Sequence, residues 1–304
     1  MIHILANPAA GGGRAVPVAG SLARVLTDHG IECHVHVPAD RQATRKIAAQ
    51  VAHSGPVIAC GGDGTVHDCL QGLMASEHTQ PTASPPTLGI WPVGTGNDII
   101  RGIGGTPAET ETEFAEVIQR GQARTVDVGS VHLEGEDAQS CGPHYFLGVL
   151  SCGFDSDVNV RANSMPAKVG RARYLLSVAR EFPVLRPRWY AIDSDGTDRS
   201  MAAMIVAVGN GPAYGSGMYV CPDADMSDGQ FDVTVVMNTP KHTFVSVLPQ
   251  VYSGRHIEHP SVATWRSSRL RIDAPDSLVF ADGERIGPLP ATILVVPEAL
   301  RVLV

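Results

Sequence analysis

The stretch ACGGDGTVHDCLQGL, residues 59–73, runs from an apolar segment into a helical pattern through Gly61, Gly62, Asp63 and Gly64. Glycines at the end of a buried strand let the backbone approach a ligand closely and aim several N–H groups into one concavity, which suits phosphate oxygens. Outward from this turn, the first hundred residues alternate strand and helix signals. IHILAN (2–7) reads as a strand, GGGRAVPVAGSLARVLTDHG (11–30) as a loop and a helix closed by Gly30, and IECHVHVP (31–38) alternates with period two. A helix capped by Asp40 and ended by Gly55 leads to the strand PVIAC, and after TVHDCLQGLMAS comes the strand LGIWPV (88–93). Such alternation predicts a parallel sheet with helices on both faces and a ligand edge at the carboxyl ends of its strands.

Two more glycine turns follow strands in the same way, NPAAGGG (7–13) and PVGTGND (92–98). One glycine cluster is usually only a tight turn. Three at the same end of a parallel sheet argue for a shared site, with Asp63 and Asp98 where a metal or its water shell could be held. No Walker A or dinucleotide GxGxxG pattern follows a strand, so the phosphate cradle is of another type.

From about residue 124 the pattern changes to strands, among them RWYAID turning through SDGT into RSMAAMIVAVGNG, then QFDVTVVMN, SLVFADGERI and ATILVVP. One helix, VGRARYLLSVAREF (169–182), interrupts them, with Leu175, Val178, Ala179 and Phe182 on one stripe. The expected architecture is an α/β nucleotide domain over 1–124 and an all-β, sandwich-like domain over 125–304, with the last residues packing back on the first domain.

The 304 residues are 43% hydrophobic and 18% charged, which fits a folded chain of two domains. A net charge of −8 disfavours nucleic-acid partners, since phosphate backbones are bound through basic surface. Six cysteines without a CxxC pair read as reduced, structural thiols. No leader of the secretory type and no apolar run of spanning length is visible, so a cytoplasmic protein with at most peripheral membrane contact is expected.

NPAAGGG, GGDGTVHDCLQGL and PVGTGNDIIRG resemble the three nucleotide-site motifs of the diacylglycerol kinase catalytic-domain family, which shares its nucleotide fold with NAD kinases and phosphofructokinases. VDVGSV, GVLSCGFDSDV, GNGPAYGSGMYVCPDADMSDGQFDV and FADGERI continue the resemblance in the family's order. It implies ATP-contacting positions at Asn7, Pro8, Ala9, Ala10, Gly11, Gly61, Gly62, Asp63, Gly64, Thr65, Val66, His67, Gly94, Thr95, Asn97 and Asp98. Asp127 would join Asp63 and Asp98 in an acidic network. Mg²⁺ would be held by the Asp228 carboxylate with the backbone carbonyls of Asp225 and Gln230 nearby, although Ser227 stands where many members carry a second acid. His67 and Asp68 stand where a common pattern reads Asn-Glu.

Phosphoryl transfer to an alcohol needs positioning, charge neutralisation and an acceptor for the hydroxyl proton. The resemblance gives that last role to Asp282, with Glu284 as its partner. On local grounds alone, Asp-Gly between alternating apolar stretches is a hairpin turn, and both readings can hold. The implied reaction is ATP-dependent phosphorylation of a lipid hydroxyl, diacylglycerol first. A sphingoid base, phosphatidylglycerol or NAD as acceptor, or an inactive nucleotide-binding regulator, are the alternatives.

Residues 161–189 carry Arg161, Lys168, Arg171, Arg173, Arg180, Arg186 and Arg188 against one acid, Glu181. A basic amphipathic segment of this kind can lie on anionic lipid beside a lipid entry, or be a solvated helix face. The number of subunits is left open, a homodimer included.

Overall fold

The computed structural model describes residues 1–79, 84–94, 96–104, 108–135, 142–164, 172–215 and 217–303. The N-terminal part is β1 (Ile2–Ala6), α1 (Ala15–Asp28), β2 (Cys33–His36), α2 (Arg41–Val51), β3 (Val57–Gly61), α3 (Asp63–Thr79), β4 (Thr87–Pro92), α4 (Asp98–Ile103) and α5 (Glu111–Arg120). The four strands are parallel in the order β4-β3-β1-β2. Burial on both faces explains why β1 and β3 read as unbroken apolar runs rather than alternating ones. Ile4, Ala6, Ile58 and Cys60 face α1 and α5, while Leu5, Val57 and Ala59 face the core formed with α2, α3 and α4. The Asp40 carboxylate accepts from Ala43 N at 2.8 Å, the cap expected at the start of α2.

The remainder begins with β5 (Ala123–Leu133), β6 (His144–Phe146), β7 (Val149–Gly153), α6 (Phe154–Ser164), α7 (Ala172–Glu181), β8 (Arg188–Ser194), β9 (Thr197–Asp198) and β10 (Met201–Gly209). It continues with β11 (Phe231–Met237), α8 (Lys241–Val247), β12 (Val262–Ser267), β13 (Arg269–Asp273), β14 (Leu278–Ala281), β15 (Glu284–Pro288) and β16 (Ala291–Leu303). Apart from β16's parallel contact with β4, these strands pair antiparallel, and they enclose a core that includes Phe146, Tyr190, Val206, Phe231 and Ile293. The chain is thus an N-terminal α/β domain followed by a C-terminal β-sandwich-like domain.

Three local expectations need correction. The segment from His144 to Phe154 is not one strand but β6 and β7, split at Leu147 and Gly148. The second half holds α6 and α8 besides α7; α6 has almost no amphipathic stripe and α8 spans only seven residues, so neither leaves a clear periodic signal. ATILVVP does not end at Pro297. The strand passes a bulge between Val296 and Leu300, where Glu298 adopts φ +51°, and runs on to pair with β5 antiparallel and with β4 in parallel. β16 therefore stitches the sandwich to the nucleotide sheet.

Candidate active site

The three glycine turns meet at the carboxyl ends of β1, β3 and β4. Asn7 Nδ2 donates to Thr65 Oγ1 at 3.2 Å, tying the first turn to the second, while its Oδ1 accepts from Ala9 N at 3.0 Å. Val93 N donates to Gly61 O at 2.8 Å, tying the third to the second. Side chains are excluded here by contact: a Cβ on Gly94 would stand 2.7 Å from Gly62 Cα, and one on Gly11, at φ +59°, 2.7 Å from Val93 Cγ1. Pro8 and Ala9 are exposed beside this junction, Ala10 is half-buried, and Asn97, at φ +55°, donates from Nδ2 to Gly94 O at 3.3 Å. At the start of α3 the amides of Asp63 and Gly64 have no intrahelical acceptor, the usual anion-binding arrangement. Thr95 lies outside the described residues. Two of the expected nucleotide contacts turn inward instead: Val66 sits in the hydrophobic core and His67 is 1% exposed.

Across from the turns, a cleft of about 300 Å³ is lined by Asp63, Gly96, Asp98, Gly148, Tyr214 and Asp282, among others. Burial pushes the Asp63 carboxyl up, and the charge of Asp98 pushes it the same way, against amide donors including Ile99 N. Asp98 accepts from Gly217 N at 2.8 Å and from Arg101 at 3.0 Å. A carboxyl raised by burial and by a neighbouring carboxylate sits in an environment a cation relieves.

Asp282 and Gly283 are the two central residues of the β14–β15 hairpin, at φ +52° and +79°, so the hairpin reading of ADGER holds together with its position in the cleft. The Asp282 side chain is 1% exposed, accepts from Leu147 N at 3.0 Å and Gly148 N at 2.8 Å, and lies with Oδ2 3.5 Å from His67 Nδ1. The kink that splits β6 from β7 is what aims those two amides at it. Glu284 approaches the GGDGT turn closely, since a Cβ on Gly64 would be 3.2 Å from its Oε1. Its Oε2 accepts from Arg41 at 2.6 Å. Arg41, together with Arg45, also donates to the buried Asp68, with contacts of 2.8 and 2.9 Å. Burial opposes the Arg41 charge, but the bonds to Asp68 and Glu284 outweigh it and raise the guanidinium pKa. One arginine therefore couples the nucleotide domain to the hairpin turn.

The loop expected to hold Mg²⁺ does not fit one. Asp225 Oδ1 accepts from Ser227 Oγ at 2.7 Å and from Arg124 at 2.8 Å, and the Ser227 hydroxyl, ahead of Arg124, holds its carboxyl below the usual range. Asp228 is paired with Arg266 and accepts from Gln230 N at 3.0 Å. Each carboxylate already has a guanidinium, and among the described residues no three acids, histidines or cysteines converge as metal ligands. Asp225, Asp228 and Gln230 thus do not form a shared cation site in this arrangement. Asp127 likewise leaves the acidic network: it is buried, with its carboxylate accepting from Gly229 N at 2.7 Å and Glu298 N at 2.8 Å, so it pins this loop to β16.

Beside the cleft lies a second cavity of about 270 Å³, lined mainly by Phe154, Val158, Val178, Val236, Phe244 and Val251. Tyr214 borders both cavities. α6 spans the junction too: Asp155 borders the apolar cavity, Asn159 borders the cleft, and Asn159 Nδ2 donates to Asp155 Oδ2 at 3.2 Å. Sequence reasoning missed this cavity and Arg41, Arg124 and Arg266. The stripe of Val178 and Phe182 was the available signal for the cavity, and both side chains pack on its Phe244 cluster.

The chain matches the diacylglycerol kinase catalytic domain over residues 1–131 and the YegS C-terminal NAD kinase beta sandwich-like domain over 148–304. It is 35% identical over 306 residues to a diacylglycerol kinase of Mycobacterium tuberculosis, covering 99% of this chain and 94% of that protein. A probable lipid kinase YegS-like protein of Yersinia pestis is 27% identical over 282 residues, covering 91% and 88%. A crystal structure of a putative diacylglycerol kinase from Bacillus anthracis superposes with a TM-score of 0.76 at 24% identity, covering 99% and 94%. Yeast NADH kinase shares the fold at a TM-score of 0.56 and 11% identity, covering 100% and 83%. The chain belongs to the diacylglycerol kinase catalytic-domain family of lipid kinases.

Proposed function

We propose that this protein transfers the γ-phosphate of ATP to the hydroxyl of diacylglycerol, giving phosphatidic acid. The observation that carries the reading is the apolar cavity opening beside an acidic cleft, with Tyr214 on both walls. Burying acyl methylenes contributes about 0.8 kcal/mol each, so such a cavity favours a greasy acceptor and leaves a soluble one such as NAD without a reason to bind there.

The glycine turns and the first amides of α3 receive the triphosphate. Asp63, which has no guanidinium partner among the described residues, would hold the Mg²⁺ that arrives with ATP, with Asp98, already paired to Arg101, beside it; bound Mg²⁺ would neutralise charge on the phosphoryl group. Asp282 takes the proton of the attacking hydroxyl, and the Leu147 and Gly148 amides fix its carboxylate toward the cleft. Glu284, held by Arg41, keeps the hairpin turn against Gly64.

A lipid acceptor must be reached at a membrane surface. No helix among the described residues is long and apolar enough to cross one. Near the apolar cavity, Val184 and Tyr252 are 61% and 60% exposed, and Lys241 donates to Pro183 O at 2.6 Å. Of the basic segment, Arg161 pairs with Glu181 and Arg188 with Asp157, while Arg180 and Arg186 are exposed. Lys168 and Arg171 lie outside the described residues. Peripheral docking of this face on anionic lipid, worth about 1 kcal/mol per exposed basic residue, is part of the proposal.

Labelled ATP offered separately with diacylglycerol, a sphingoid base, phosphatidylglycerol and NAD tests it, with Asp282→Asn as control. Labelled phosphatidic acid from the native chain and none from the variant is the expected result. Product from NAD alone would overturn the lipid reading, and no product from any acceptor would favour a nucleotide-binding regulator.

A further inference from the structure

His67 is fully enclosed, yet its Nδ1 has no hydrogen-bond partner. Buried polar atoms of this kind are uncommon, because an unmade hydrogen bond in the interior costs on the order of 1–3 kcal/mol. The atom it faces is Asp282 Oδ2, 3.5 Å away, a gap that a shift of about 0.7 Å would turn into a normal hydrogen bond. Among the described residues Asp282 has no other side-chain neighbour of this kind, since the two other contacts of its carboxylate are the Leu147 and Gly148 amides. These amides donate only, so neither can receive a proton from it.

We propose, on the lipid-kinase reading above, that His67 is a positioning residue and proton acceptor acting through Asp282, so that the two work as a dyad. The acceptor O–H bond breaks, its oxygen bonds to the γ-phosphorus, and the bond from that phosphorus to the bridging oxygen of ADP breaks. The proton passes to Asp282 and from its Oδ2 to the His67 Nδ1 lone pair. Asp282 is again a carboxylate, now beside an imidazolium, and after product release the proton returns through Asp282, which lines the cleft, to solvent.

Three other titratable groups bear on the pair. His144 on β6 has its imidazole pKa lowered by burial first, then by Arg45 and by His67. Asp68, the next residue along α3, is already bound by Arg41 and Arg45, and Glu284 by Arg41. Among the described residues none of them contacts the Asp282 carboxylate, which leaves the imidazole as its partner.

Two measurements on the full chain test this. The first is the pH–rate profile of kcat for the native chain, His67→Asn and His67→Gln with saturating ATP and diacylglycerol. A dyad predicts kcat lower by about ten- to a hundredfold, KM for ATP unchanged within about twofold, and an acidic limb displaced to lower pH. A purely structural His67 lowers thermal stability and leaves the shape of the profile alone, which would overturn the proposal. The second needs no activity: the titration of the His67 imidazole, followed by NMR in the native chain and in Asp282→Asn. A displaced midpoint in the variant supports the dyad, and an identical midpoint contradicts it. If the native chain phosphorylates no lipid at all, the function proposed above fails, while the NMR result still decides whether the two side chains share a proton.

Discussion

The active-site cleft and the loop from Asp223 to Gln230 both carry aspartates, and they treat the charge in opposite ways. In the loop, Asp225 meets Arg124 and Asp228 meets Arg266, so these two carboxylates are neutralised where they stand. In the cleft, Asp63 and Asp282 have no guanidinium or ammonium partner among the described residues, and Asp63 is pushed toward its neutral form by burial and by Asp98. A paired carboxylate serves as a fastener. An unpaired one in a cavity stores an unfavourable charge that a phosphate-bound cation or a transferred proton can relieve. Sequence cannot make that distinction, because Asp in GGDGT and Asp in PDADMSDG look alike until their neighbours are known.

The sharpest way to test the contrast is on the cleft side. Asp282→Asn keeps the hairpin and removes the base; kcat should fall by about 10² to 10⁴, with ATP affinity within about twofold, as measured by steady-state kinetics and nucleotide titration. Next in size is Gly94→Ala. Its Cβ would stand 2.7 Å from Gly62 Cα, prising two phosphate turns apart, and the KM for ATP should rise about tenfold, roughly 1.4 kcal/mol of binding. An unchanged KM would mean the turns do not act together. Arg41→Met comes third: Glu284 loses its anchor and buried Asp68 keeps only Arg45, so kcat should drop by about fivefold to tenfold and melting by a few degrees. On the loop side the expected effect is close to nothing. Melting curves with Mg²⁺ and with EDTA should coincide in the absence of nucleotide, and a clear upward shift by Mg²⁺ would return the loop to its expected role.

A smaller pH effect comes from the far edge of the sheet. His3 Nδ1 and His36 Nε2 are 3.1 Å apart on β1 and β2, with the His34 ring 4.5 Å from that of His36. Burial first, then neighbouring positive charge, lowers the pKa of both His3 and His36 below 6.5. Their depressed folded-state values mean the unfolded chain takes up protons first as pH falls. Stability is therefore full above about pH 6.5 and declines as pH drops below it, and His36→Gln should flatten that decline in thermal melts.

Much of the fold was legible because parallel strands buried on both faces read as short apolar runs between capped helices. Asp40, Gly30 and Gly283 act where turn and cap chemistry expects them. The glycine turns were legible for the same reason: backbone contact leaves no room for a Cβ. What stayed hidden depends on pairs far apart in the chain. Arg41 meets Glu284 across 243 positions and Arg124 meets Asp225 across 101, and no local period marks either. His67 looked like a phosphate neighbour because it follows the GGDGT turn, yet the helical phase of α3 turns it toward Asp282. Pro297 hid the end of β16 because proline normally stops a strand, whereas here it sits at a bulge.

If acyl chains occupy the cavity at Tyr214 while the acceptor hydroxyl meets Asp282, as proposed, filling that cavity is the most direct test. Val178→Trp, at a half-buried position on the cavity wall, should leave ATP binding intact and lower kcat/KM for long-chain diacylglycerol about tenfold or more relative to a short-chain one. Equal kcat/KM for the long-chain lipid in the native chain and the variant, with both folded, would contradict it.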